Sequence, residues 1–298
     1  MAGPAAMSAL AAVEFQSNWL EVLQSPFMRN ALIGGSLVAI AAGLLGYFVI
    51  TRQNAFAAHA LAHIGFPGAT GAILVGAPVT LGLAVFCVAG GLLIGLFGRR
   101  VADREMATGT ILALATALGV LFASLASANA STTTSVLFGN LLAISRQQLV
   151  VYAAFTALVV LTLAVLARPL VFASVDPDVA EARGVPVRAL GIAFVVLLAL
   201  TITMAVQVVG TLLLFALVVT PAATALRLTP RPLRVAGLAV AIALVAVWGG
   251  LVLSAMVDLP PSFFIVALAV LAWLVVLGVT GRRPRPAERP LADAHHPH

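Results

Sequence analysis

Lysine is absent from this 298-residue chain, and all sixteen basic residues are arginine. That excludes every chemistry that needs a lysine amine: a Walker A phosphate loop, a Schiff base, a pyridoxal anchor. Charge of either sign is scarce, at 9% of residues, where a soluble domain carries about a quarter. One cysteine, Cys87, lies inside an apolar run, so there is neither a disulfide framework nor a cysteine-based zinc site. Aromatic residues are also few, at 7%. What remains is 62% hydrophobic, with a mean hydropathy of +1.14, and is dominated by Ala, Val, Leu and Gly. Small residues of this kind let membrane helices approach closely. About 20 apolar residues cross a bilayer, so the length leaves room for eight to ten crossings. The class is an all-α polytopic membrane protein.

Nine apolar runs have near-spanning length: Asn30–Thr51, Ala55–Gly76, Val79–Phe97, Ala107–Ala126, Leu149–Ala167, Ala189–Val206, Thr211–Leu226, Val235–Ala255 and Ser262–Val279. Eight or nine transmembrane helices are therefore expected. A net charge of +6 invites a nucleic-acid partner, but the arginines argue against one by where they fall. If Arg52 is cytoplasmic, alternation puts the clusters at Arg99–Arg104, Arg168–Arg188, Arg227–Arg234 and Arg282–Arg289 on the same side. Only Arg29 and Arg146 fall opposite. The positive-inside rule then predicts an outer N-terminus and a cytoplasmic C-terminus.

Three stretches stand apart from the spans. Residues 1–28 have no basic region ahead of an apolar core, and Glu14 and Glu21 interrupt them, so they do not read as a cleavable signal peptide. Helical spacing puts Phe15, Trp19, Val22 and Leu23 on one face, which predicts an interfacial helix on the outer leaflet. Asn129–Gln148 is too polar to cross and too apolar for a free loop, and reads as a re-entrant or surface helix on the outer side. Residues 282–298, rich in Pro and Arg, read as a disordered cytoplasmic tail, leaving 29–281 as the transmembrane domain. No internal repeat is visible.

Ionisable groups are nearly absent from the spans, with the exception of His59 and His63 in the second. An ionisable group at membrane depth is costly and marks a functional pathway by default. The i, i+4 spacing points both imidazoles from one helix face, where two nitrogens can meet one cation. Imidazole suits zinc and other late first-row metals, whereas manganese favours carboxylate and water. Pro67 has no N–H for the His63 carbonyl, and Gly65 and Gly68 allow bending or close approach beside it. The alternative is a pair of histidines hydrogen-bonded to neighbouring helices. A second polar stripe, Gln207, Thr211, Thr220 and Thr224, is either a pathway wall or a packing kink around Thr220-Pro221. Cys87 and Met204 read as core filler.

Between the fifth and sixth spans, Asp176 has the place of an N-cap, Pro177 of the first helical position, Asp178 of a first-turn acid and Gly184 of a helix stop. Pro186 then prevents continuation. This predicts a two-turn helix on the cytoplasmic face, serving either as a docking peg for a soluble partner or as an ordinary structured loop. A helix so short is marginal unless it packs against something.

At these residues the chain resembles the permease subunits of bacterial zinc/manganese-type ABC importers. That family carries Asp-Ala-Leu-Ser-His and then Leu-Pro-Gly in its second span; here the stretch reads His59-Ala60-Leu61-Ala62-His63 and Phe66-Pro67-Gly68. The family's coupling loop, Asp-Pro-Glu-x-Ala-x-x-x-Gly-Val, is matched by Asp176 through Val185, with Asp178 for Glu. Leu137–Asn140, Val209-Gly210, Thr220–Ala225, and Gly250, Leu253, Ser254 and Asp258 are further likenesses, in order from Phe27 to Gly281. The resemblance implies a homodimeric permease in the bacterial cytoplasmic membrane. Each copy would grip a separate ATPase through Asp176, Asp178, Ala180, Glu181 and Gly184, and an extracytoplasmic metal-binding protein would deliver the ion. It implies transport rather than catalysis, no resident cofactor and no nucleic-acid partner. The family's Asp is His59 here, which tilts the expected cargo towards zinc over manganese. The competing readings are a secondary metal–proton exchanger using the His pair, and a membrane scaffold with structural histidines.

Overall fold

The computed structural model describes residues 19–97, 101–126, 139–211, 214–257 and 259–281, with backbone only for 97 and 101–104. The expected N-terminal interfacial face is described only from Trp19 onward, and the tail after Gly281 lies outside these residues. Every regular element among them is helical. In chain order they are α1 (Trp19–Gln24), α2 (Pro26–Thr51), α3 (Ala55–Leu74), α4 (Val79–Phe97), α5 (Val101–Leu125), a 3₁₀ turn at Leu141–Ala143, α6 (Arg146–Val175), α7 (Pro177–Ala182), α8 (Val187–Val209), α9 (Leu214–Val218), α10 (Thr220–Leu228), α11 (Pro232–Val257) and α12 (Pro261–Thr280).

Seven of these helices are long and apolar enough to cross a membrane. The other two expected spans differ for separate reasons. Helix α3 has 20 residues, but two histidines, Pro67 and three glycines dilute its apolar surface. The seventh run breaks into α9 and α10, because Pro221 cannot donate to the carbonyl four residues back. The described part, Leu214–Leu228, is 15 residues, about 22 Å of helix, against a bilayer core of about 30 Å.

Burial separates centre from periphery. In the most apolar 18-residue stretch of each helix, 67% of residues are buried in α2 and 61% in α8, against 11% in α12 and 17% in α5. Helix α2 packs on α11, α3 is held between α4 and α5, and α8 touches α4, α2, α6 and α3. Glycines set the closest crossings: a Cβ at Gly43 would lie 2.7 Å from the Val240 backbone, and one at Gly250 would lie 2.8 Å from the Ile265 nitrogen. Helix α1 lies against α2 and α11, with Val22 and Leu23 packed on the core.

The outer surface helix expected over Asn129–Gln148 takes another form where it is described. Ser145 starts α6 with a capping box, accepting from the Gln148 N–H at 3.2 Å while its own N–H donates to Gln148 Oε1 at 2.9 Å. Arg146–Gln148 are therefore the first turn of α6, and Leu141–Ala143 is a single 3₁₀ turn. Residues 127–138 lie outside the described residues.

Candidate functional site

Helix α3 carries the two histidines and remains continuous through Pro67. One turn on, the Thr70 hydroxyl donates to the carbonyls of Phe66 at 3.1 Å and Pro67 at 3.3 Å. Close packing adds support, since a Cβ at Gly68 or at Gly82 of α4 would collide with the carbonyl oxygen of the other. Against this rigid stretch, His59 and His63 stack edge to face with ring centroids 4.9 Å apart at 71°. Phe215 of α9 meets His59 edge-on at 6.0 Å.

Both histidines are half-buried, and Phe56 and Phe66 continue the same partly open stripe. The neighbouring residues of α3 on the other faces, such as Ala58, Leu61 and Ala62, are buried. Cys87 is on the far side, its thiol donating to the Leu61 carbonyl at 3.4 Å, so it lies away from the imidazoles. Met204 is fully buried, and both sulfur residues are core as expected. Among the described residues no three His, Cys, Asp or Glu side chains come together. The pair offers two imidazoles and leaves a tetrahedral metal two positions short.

The other polar stripe divides in two. Gln207 sits two residues from the C-terminal end of α8. Its Oε1 accepts from Thr80 at 3.0 Å and from Gln148 at 3.3 Å, and its Nε2 donates to the Thr203 carbonyl at 3.3 Å. Its backbone carbonyl accepts from the Asn140 N–H at 3.0 Å. Gln207 thus ties α4, α6, α8 and the segment before α6 into one polar knot. Thr224 is fully buried, with its hydroxyl on the Thr220 carbonyl at 2.7 Å. Thr80 and Gln148 were not singled out in the sequence, although the Ser-x-x-Gln spacing at Ser145 marks Gln148 as a capping residue.

At the arginine-rich end, α7 is the short helix that the loop predicts. Asp176 Oδ1 accepts from the Val179 N–H at 3.0 Å, Pro177 occupies the first turn, and Gly184 has φ +80°. Ala180 is fully buried and anchors the helix; Asp176, Asp178, Glu181 and Gly184 are exposed.

An all-helical, multi-pass architecture with a small helix presented at its arginine-rich end defines a polytopic membrane transport subunit. Residues 24–280 match the ABC 3 transport family, and the chain belongs to that family. It is 31% identical over 250 residues to the manganese transport system membrane protein MntC of Halalkalibacterium halodurans, covering 84% of this chain and 86% of the relative. It is 30% identical over 267 residues to a protein of Haemophilus influenzae described as an iron transport system membrane protein, covering 85% and 97%. PsaBC from Streptococcus pneumoniae in complex with Fab superposes with a TM-score of 0.78 at 28% identity, covering 88% of this chain and 95% of that one. These bacterial relatives and the seven apolar helices place the chain in the cytoplasmic membrane as a multi-pass protein.

Proposed function

We propose that this chain is the permease of an ABC importer for a divalent first-row metal ion, and that His59 and His63 contact the ion during passage. The observation that carries this reading is the imidazole pair, ring against ring at 4.9 Å on a partly open face of α3. Two ligands suit a cargo better than a resident ion, because a full tetrahedral set would retain the metal. The names of similar chains favour manganese as cargo. The exchange of a carboxylate for His59 favours zinc, since manganese gains relatively more from hard oxygen.

In this reading Asp176, Asp178, Ala180, Glu181 and Gly184 form the docking helix for a separate ATPase. Their exposure around one buried anchor supports it. A binding protein delivers the ion from outside, and a second permease copy faces the open stripe of α3. Gln207, Thr220 and Thr224 belong to the walls of the route, with Gln207 nearest the outer mouth. ATP-driven uptake of radiolabelled manganese and zinc by the complete complex in vesicles tests the assignment. Uptake of either ion that needs ATP supports it; uptake driven by a proton gradient without ATP identifies an exchanger instead.

A further inference from the structure

The break between α9 and α10 is pinned by its surroundings. Pro221 has no N–H to offer the Leu217 carbonyl, and the Val219 N–H donates to the Phe215 carbonyl at 2.9 Å, tying the break to α9. Helix α2 closes over it: a Cβ at Gly46 would collide with the Val218 carbonyl oxygen and lie 2.9 Å from the Ala222 Cβ. Leu214, Leu217 and Val218 are buried, and α9 touches α2, α12 and α3. Phe215 is the one large side chain of α9 turned out of this packing, at 38% exposure.

Its ring meets His59 at 6.0 Å and 85°, and His59 in turn meets His63 at 4.9 Å and 71°. His59 therefore stands between two rings. Aromatic rings attract one another in this perpendicular arrangement at centroid separations of about 4.5–7 Å. The second side-chain torsion of histidine is broad, so α3 alone does not fix the plane of the His59 imidazole. Phe215, on a short helix held by its buried neighbours, supplies that restraint. Its apolar ring also keeps water from the side of His59 that it covers. Imidazole suits zinc, whereas manganese favours carboxylate and water.

We infer that Phe215 is a positioning residue for metal selection: it holds the His59 ring towards His63 and withholds water there, favouring zinc over manganese. The inference rests on the reading of His59 as a metal contact.

The test is competition between zinc and manganese for ATP-dependent uptake by the complete complex of permease, ATPase and binding protein in vesicles. The binding protein is the same throughout, so a changed zinc-to-manganese ratio comes from the permease. Phe215→Ala and Phe215→Leu should lower that ratio about tenfold, the lower end of what losing a ligand-orienting partner costs a metal site. Phe215→Tyr keeps the ring and should keep the ratio. Phe263→Ala, which removes an exposed ring of α12, should leave it unchanged. In His59→Asp there is no imidazole to orient, and adding Phe215→Ala should lower the ratio no further. A packing role alone would reduce uptake of both ions in parallel, so a wild-type ratio in the alanine and leucine variants overturns the inference. A further fall in the His59→Asp background overturns it too, because Phe215 would then act on something other than His59. Should alanine prevent detergent-stable assembly, leucine, which keeps apolar volume, carries the test; failure of both to assemble makes Phe215 a packing residue and ends the inference. A wild-type ratio in His59→Asp alone would instead refute the metal contact at His59, and absence of ATP-driven uptake in the unmodified complex would refute the permease reading itself.

Discussion

Gly68 of α3 and Gly82 of α4 meet backbone to backbone, each occupying the space where the other's Cβ would stand. This contact fixes the turn of α3 that follows His63, and with it the direction in which the imidazoles point. Gly82→Val should destabilise the fold by about 1–3 kcal/mol, the usual cost of overpacking. Thermal unfolding in detergent is the readout. An unchanged midpoint would show that the crossing tolerates a side chain and that α3 is less tightly held than the geometry indicates.

Gly184 poses a different constraint, because nothing lies within 4 Å of its missing Cβ. Space is free, but the φ of +80° is not available to a β-branched residue without strain of roughly 1–2 kcal/mol. Gly184→Val should therefore loosen the end of α7, and Glu181→Arg should reverse charge on its exposed face. Both should reduce co-purification of the ATPase with the permease while leaving metal binding intact. Full ATPase retention in both variants would remove the docking role from this helix.

His59→Asp places a hard anionic oxygen beside His63. The manganese-to-zinc uptake ratio should rise, with zinc transport retained in part. Competition uptake with both ions present measures the ratio directly. A ratio identical to wild type, with uptake otherwise normal, would remove His59 from the ligand set and leave it as a packing residue.

Much of the fold was legible because the bilayer imposes simple rules. Apolar runs located the long helices, and Asp176, Pro177 and Gly184 located α7, since caps and left-handed stops act within a few residues. Composition did not reveal that the described part of Thr211–Leu226 is divided into two short helices. Its run is mostly apolar, and it is the break before Pro221 among the described residues that shows the difference. At Pro67 the helix stays continuous, and of the bending or close approach that the glycines allow it is the close approach that is realised, where Gly68 meets Gly82. Partners such as Phe215 for His59, Thr80 for Gln207 and Phe194 for Arg52 come from distant segments, and no local pattern encodes such pairings. The i, i+4 spacing of His59 and His63 made their pairing readable in advance; what they face was not.

The central claim is that the imidazole pair touches the transported ion. His63→Ala, reconstituted with the ATPase and binding protein, measures it most directly through ATP-dependent manganese and zinc uptake alongside detergent-stable assembly. Loss of a metal-contacting group should lower uptake roughly tenfold or more, a loss already typical of residues one shell further out, while assembly stays intact. Undiminished uptake of both ions by a fully assembled variant would contradict the account.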